Sequence, residues 1–164
     1  MEKFIKTNVL MDLRQKIKLT KVEIFKMREE GHIETLKEVL DEIETALKDE
    51  RGLISHQRRI AFSLSLGVVN LIELYFHKLS LIKEGAKINH KWFKRNKETL
   101  LEHLQQQIIS PINSVENINK IIDIAIKIEE KRDDLIYGAS SSEKIIQNKI
   151  NLFFELKEII EWKI

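Results

Sequence analysis

Lys87 to Lys97, KINHKWFKRNK, sets Trp92 and Phe93 among five bases, Lys87, Lys91, Lys94, Arg95 and Lys97, with no acid between them. Bases interleaved with aromatics suit single-stranded RNA, because cations neutralise phosphates while rings stack on unpaired bases. Helical periodicity gives a plainer reading of the run, with both aromatics facing a core and the bases solvated. The two readings hold together if the rings turn inward and the cations outward. The five histidines, His32, His56, His77, His90 and His103, never fall at the i, i+3 or i, i+4 spacing of a helical metal site, so none is expected. Glu73 and His77 are four apart, and a mutual hydrogen bond is the expectation. With no Cys in the chain there is no thiol nucleophile and no thiolate ligand. Neither a G-x-S-x-G elbow nor a Gly-rich phosphate loop is present, and no cofactor is implied.

The elements that must position these residues are organised around Ile60 to Phe76, IAFSLSLGVVNLIELYF, which is apolar on nearly every side. The stretch is short and polar for a membrane span of about 20 residues. A helix that is hydrophobic all round belongs inside a bundle. At 164 residues the chain reads as a single domain, residues 1–164, large enough to bury a core. One Pro and five Gly mark a chain of long helices. The N-terminus, MEKFIKTNVLMDLRQK, reads as neither signal peptide nor anchor, so a cytoplasmic protein without a membrane partner is expected.

A net charge of +2 gives no global attraction to nucleic acid. Its distribution is more telling: Glu29 to Glu50 holds nine acids against Lys37 and Lys48, opposite in sign to Lys87–Lys97. That acidic run is read as a solvated helix face.

The apolar spacing predicts helices over roughly 3–30, 32–49, 54–83, 90–108, 114–136 and 141–162, and no strand. Leu10, Leu13, Ile17 and Ile24 mark the first of these helices. Gly31 is expected to bend or break the first pair, since Gly costs about 1 kcal/mol in a helix interior relative to Ala. Asn89 is the expected N-cap of the fourth, and Asn113 with Glu116, then Ser140 with Glu143, have capping-box spacing. The fold class is all-α, an antiparallel up-and-down bundle of five or six helices. Buried Asn70 and Glu73 would need partners. Arg58 or Arg59 of a second copy could serve Glu73, and this, with the excess of apolar faces, predicts a homodimer.

Lys131-Arg132-Asp133-Asp134-Leu135-Ile136-Tyr137-Gly138 closes the helix expected over 114–136. In purely structural terms, an Arg in a last turn complements the helix dipole, and a Tyr before Gly makes a helix-end apolar contact. The same stretch resembles the signature of the HEPN superfamily, the nucleotide-binding helical domains of higher eukaryotes and prokaryotes. There an Arg and a polar follower precede a His by four to six residues near a helix end. Arg132 matches the Arg, Asp133 the follower, and Tyr137 stands where the His would. The resemblance covers roughly Ile54 to Trp162.

That resemblance implies a HEPN-like dimer whose two motifs share a cleft, with Arg132, Asp133 and Tyr137 as the site. Similar proteins are metal-independent endoribonucleases, often toxins, or have lost catalysis and bind RNA or nucleotides. Others partner a small nucleotidyltransferase. An Arg holds phosphate by its planar fork, and a His near neutrality can take a ribose 2′-hydroxyl proton. Tyr, with an ordinary pKa near 10, is a poor base at pH 7. The expectation is therefore RNA or nucleotide binding ahead of cleavage. The alternative is a non-catalytic partner subunit of a nucleotidyltransferase or toxin–antitoxin pair, and a third is a scaffolding bundle. A second Arg–His pair, Arg95 and His103, has seven residues between and would lie about 12 Å apart along a helix.

Overall fold

The structure, a computed structural model, describes Glu2–Glu161; the side chains of residues 2–14, 16, 17 and 19 are outside that description, and with them the expected positions Leu10, Leu13 and Ile17. The chain is an all-α bundle. Its helices are α1 (Glu2–Lys48), α2 (Gln57–Lys78), α3 (Lys97–Gln107), α4 (Ile118–Glu129), α5 (Arg132–Tyr137) and α6 (Glu143–Glu161), with 3-10 turns at Leu53–His56, His90–Lys94 and Ile112–Ser114. Among the described residues there is no strand, only an isolated antiparallel bridge between Ile82 and Ile108.

The all-round apolar stretch is the buried axis of the fold. α2 packs against α1, α4, α5 and α6, and Ile60, Leu64, Val68, Leu71, Ile72 and Phe76 are essentially inaccessible. Leu53–Lys78 is long and apolar enough to cross a membrane by length and composition, yet 72% of its most apolar window is buried within the protein. Gly67 allows a close approach of two neighbouring helices. A Cβ there would meet Phe153 Cε2 at 2.6 Å and Val39 Cγ1 at 3.0 Å, so α1 and α6 both close onto α2 at this point.

Several boundaries differ from the expected ones. Gly31 breaks nothing, and α1 is one helix from Glu2 to Lys48. Flanking contacts outweigh the cost of about 1 kcal/mol: Leu36, Val39 and Ile43 are buried, and His32 is tied to α2 through Asn70 and Glu73. The stretch expected as one helix over 54–83 becomes a 3-10 turn and α2, with Ser80 left-handed at φ 56 beyond it. The 90–108 segment divides into a 3-10 turn capped by Asn89, whose side chain accepts from Lys91 N, and α3, capped by Asn96.

The segment 114–136 also divides. α4 starts at Ile118 behind a left-handed Asn117 without a side-chain cap, so the Asn113–Glu116 box does not form. α4 ends at Glu129 and α5 begins at Arg132, with Lys131 left-handed at φ 58 between them. At the start of α6, Glu143 Oε1 accepts from Leu53 N at 3.1 Å across the bundle, and Ser142 Oγ accepts from Ile145 N. The Ser140–Glu143 box gives way to that longer-range contact.

Candidate functional site

The break after α4 decides where Arg132 sits. It opens α5 instead of closing α4, and its position is fixed from both ends. On one side, Lys149 of α6 donates to the carbonyls of Lys127, Ile128 and Glu130 at 2.9, 2.9 and 2.6 Å, satisfying the exposed end of α4. On the other, Gln57 Nε2 donates to Leu135 O at 2.8 Å and Ala139 O at 3.1 Å, its Oε1 accepts from Ser141 N at 2.7 Å, and Arg58 Nε donates to Ile136 O at 2.9 Å. The start of α2 thus holds α5 and the turn after it.

So held, Arg132 is buried, its guanidinium carbon 4.9 Å from the centroid of the Phe62 ring on α2. Its Nη1 donates to Asp133 Oδ1 at 3.2 Å, and its Nε lies 3.9 Å from Glu129 Oε2. Glu129 is 2% exposed and neither carboxylate oxygen makes a well-formed hydrogen bond. Burial pushes its pKa above the usual range, and Ser65, Arg132, Lys94 and Lys149 pull it partly back. Asp133 is exposed and pairs with Lys94 at 2.5 Å; that hydrogen bond is the main reason its pKa lies below the usual value.

Arg132 divides two concavities. The larger, about 670 Å3, runs between α2 and the 87–92 segment, and is lined by Phe62, Leu66, Val69, His90, Trp92 and Arg132 among others. Lys87 and Lys91 belong to the same lining, and both are exposed. The smaller, about 290 Å3, takes in Lys94, Arg95, Glu129, Asp133 and Arg132. The basic segment and the Arg of the α5 motif, far apart in sequence, are therefore neighbours.

The wall carrying His90 is anchored from below. Glu73 of α2 accepts from Ile88 N at 2.6 Å through Oε1, while Oε2 meets His32 Nε2 at 3.3 Å. His32 Nδ1 lies 2.8 Å from Asn70 Oδ1. Burial raises the Glu73 pKa; the Ile88 N–H and then His32 oppose it. Asn70 and Glu73 thus have partners within the chain. Glu73 does not bond His77, whose Nδ1 is buried without a hydrogen bond and whose pKa burial lowers.

Of the aromatics, Phe93 is a core residue at 1% exposure, as the periodic reading had it, whereas Trp92 is half-buried, stacked on His103 at 5.0 Å between centroids, and lines the groove. Lys97 turns aside to pair with Asp123 at 2.8 Å. His103 is occupied by Trp92, while Arg95 faces the smaller concavity, so that pair forms no site. Tyr137 is 77% exposed and lines neither concavity. Five positions from Arg132 on one helical turn and a half, it points from a different face. Among the described residues no group of three or more His, Asp or Glu could hold a metal.

His90 is what sequence reasoning passed over. A lone His reads as ordinary surface, and nothing in local spacing connects it to Arg132. In the fold, burial lowers its pKa below the ordinary 6.5, aided by the positive charges of Arg132, Lys94 and Lys91 against Asp133. Comparison with protein-family models, curated proteins and solved structures finds no match.

Proposed function

We propose that the groove between α2 and the 87–92 segment binds single-stranded RNA or a nucleotide, with Arg132 holding a phosphate. The observation that carries this reading is the stacking of the buried Arg132 guanidinium on Phe62 at the edge of a groove that also contains Trp92, Lys87 and Lys91. A planar guanidinium fixed by a ring presents a preset fork to phosphate oxygens. Trp92 offers a surface on which a base stacks, and exposed lysines add the salt-sensitive attraction of phosphates. The resemblance to HEPN domains points the same way for Arg132 and Asp133. Tyr137 has no part in this groove.

The setting proposed is cytoplasmic, and the protein is proposed to self-associate. With Glu73 satisfied internally, the support for a homodimer is the exposed apolar side chains of α1, among them Val22, Ile24 and Met27. Light scattering at micromolar concentration checks it, a monomer removing it.

Fluorescence anisotropy with a labelled RNA 12-mer tests the groove. Binding that weakens steeply with salt, and drops on Arg132→Ala and on Lys87→Ala/Lys91→Ala, is expected. Unchanged affinity in folded Arg132→Ala protein overturns the reading. An occupant recognised instead by the apolar floor of Phe62, Leu66 and Val69, such as a partner helix, would leave RNA unbound at any salt concentration.

A further inference from the structure

We propose that Glu129 is a positioning residue that acts through Arg132, its buried carboxyl giving up its negative charge when the guanidinium takes an anion, so that binding in the groove takes up a proton. The inference rests on Arg132 being the phosphate-holding group argued above.

The two side chains are brought together by the break between helices. Glu129 ends α4 and Arg132 opens α5, with left-handed Lys131 turning the chain between them. Glu129 Oε2 lies 3.9 Å from Arg132 Nε, and Nε, Oε1 and Oε2 are all buried without a hydrogen bond. The contact is therefore electrostatic and does not clamp the guanidinium. Its orientation comes instead from Phe62 and from Asp133, which takes Nη1.

A loose pair of this kind works by charge. An ionised carboxyl cancels part of the Arg132 field, and at 2% exposure little water screens it. The groups facing Glu129 are Ser65 of α2, Arg132 of α5, Lys94 of the His90–Lys94 turn and Lys149 of α6. Lys149 is spent on the carbonyls of Lys127, Ile128 and Glu130, and Lys94 is engaged by Asp133. That leaves Arg132 as the cation on which an ionised Glu129 depends, and a bound phosphate competes for it. Burial already favours the neutral carboxyl, so the anion tips the balance further towards the proton. By reciprocity the proton strengthens the hold on the anion. Asp133, held below the usual carboxylate range chiefly by Lys94, stays charged throughout.

The test measures affinity for a 12-mer RNA without terminal phosphates by anisotropy from pH 5 to 8 at fixed salt. Wild-type affinity should fall by about five- to fiftyfold as pH rises. Glu129→Gln should flatten that dependence and bind at pH 8 nearly as tightly as the wild type does at pH 5. His90 lines the same groove and also gains charge as pH falls, so His90→Asn is run beside it and should keep the dependence. Calorimetry in buffers of differing ionisation heat, at pH 6.5, should show proton uptake on binding in wild type and His90→Asn protein. A Glu129→Gln profile parallel to the wild type, weaker binding by that variant at pH 8, or uptake that vanishes with His90 overturns the proposal. Failure of the wild type to bind RNA at any pH removes the groove reading instead, and this inference with it.

Discussion

The Arg132 guanidinium lies 4.9 Å over the Phe62 ring, so a residue of the short helix α5 takes its orientation from an exposed aromatic on α2. A cation–ring contact of this kind contributes about 0.5–2 kcal/mol. Phe62→Leu should therefore weaken RNA binding by about three- to thirtyfold through loss of that orientation. Phe62 is 56% exposed, so the melting temperature should barely move. Anisotropy titrations beside thermal melts check both halves.

Gln57 stitches α5 and the turn after it to α2 through three hydrogen bonds, to Leu135 O, Ala139 O and Ser141 N. Gln57→Leu leaves those backbone groups unsatisfied and should cost about 1–3 kcal/mol by urea denaturation. Amide exchange should quicken first over residues 132–141. RNA affinity should fall with it, since Arg132 loses the platform that holds it.

The carboxyl of Glu129 is buried beside Arg132 and its pKa is raised, chiefly by burial. A raised folded-state pKa means the ionised form is penalised at neutral pH, and the folded state binds protons before the unfolded chain does. Glu129→Gln keeps the shape and removes the charge, so it should raise the melting temperature at pH 7.5. That advantage should shrink as pH falls through the folded pKa towards 4.5 and disappear below it, where both states of the wild type are protonated. Melts across pH 4 to 8 check the sign.

How much of this was legible in the chain differs from feature to feature. The all-round apolar run at Ile60–Phe76 announced a buried helix because its pattern is local and continuous. Asn89 announced a cap for the same reason. The break at Lys131 was hidden: no Gly or Pro marks it, and the apolar stripe of α4 continues into Leu135 and Ile136 as if the helix did. Gly31 misled in the opposite direction, because the contacts that keep α1 intact, His32 with Asn70 and Glu73, come from another helix. Arg132 and the basic segment were each visible, but their adjacency is purely tertiary. The same is true of His90, whose environment is set by residues of α5.

At Gly67 both α1 and α6 close onto α2. Gly67→Ala would place a Cβ 2.6 Å from Phe153 Cε2 and 2.8 Å from Cζ, and neither α1 nor α6 can withdraw without opening the core. Overpacking of this kind should cost about 1–3 kcal/mol, against the small gain in helix propensity. Denaturant midpoints check it, and a stabilised variant would mean that α6 is less firmly seated on α2.

Trp92 offers the most direct test of the central claim, because it lines the groove beside Arg132. In a Trp162→Phe background it is the one tryptophan of the chain. Titration of single-stranded RNA into that protein should quench its fluorescence in a saturable manner, with a midpoint that moves to weaker binding as salt rises and is lost in Arg132→Ala. Fluorescence unaltered by RNA, or quenching that persists undiminished without Arg132, would contradict the groove as the RNA site.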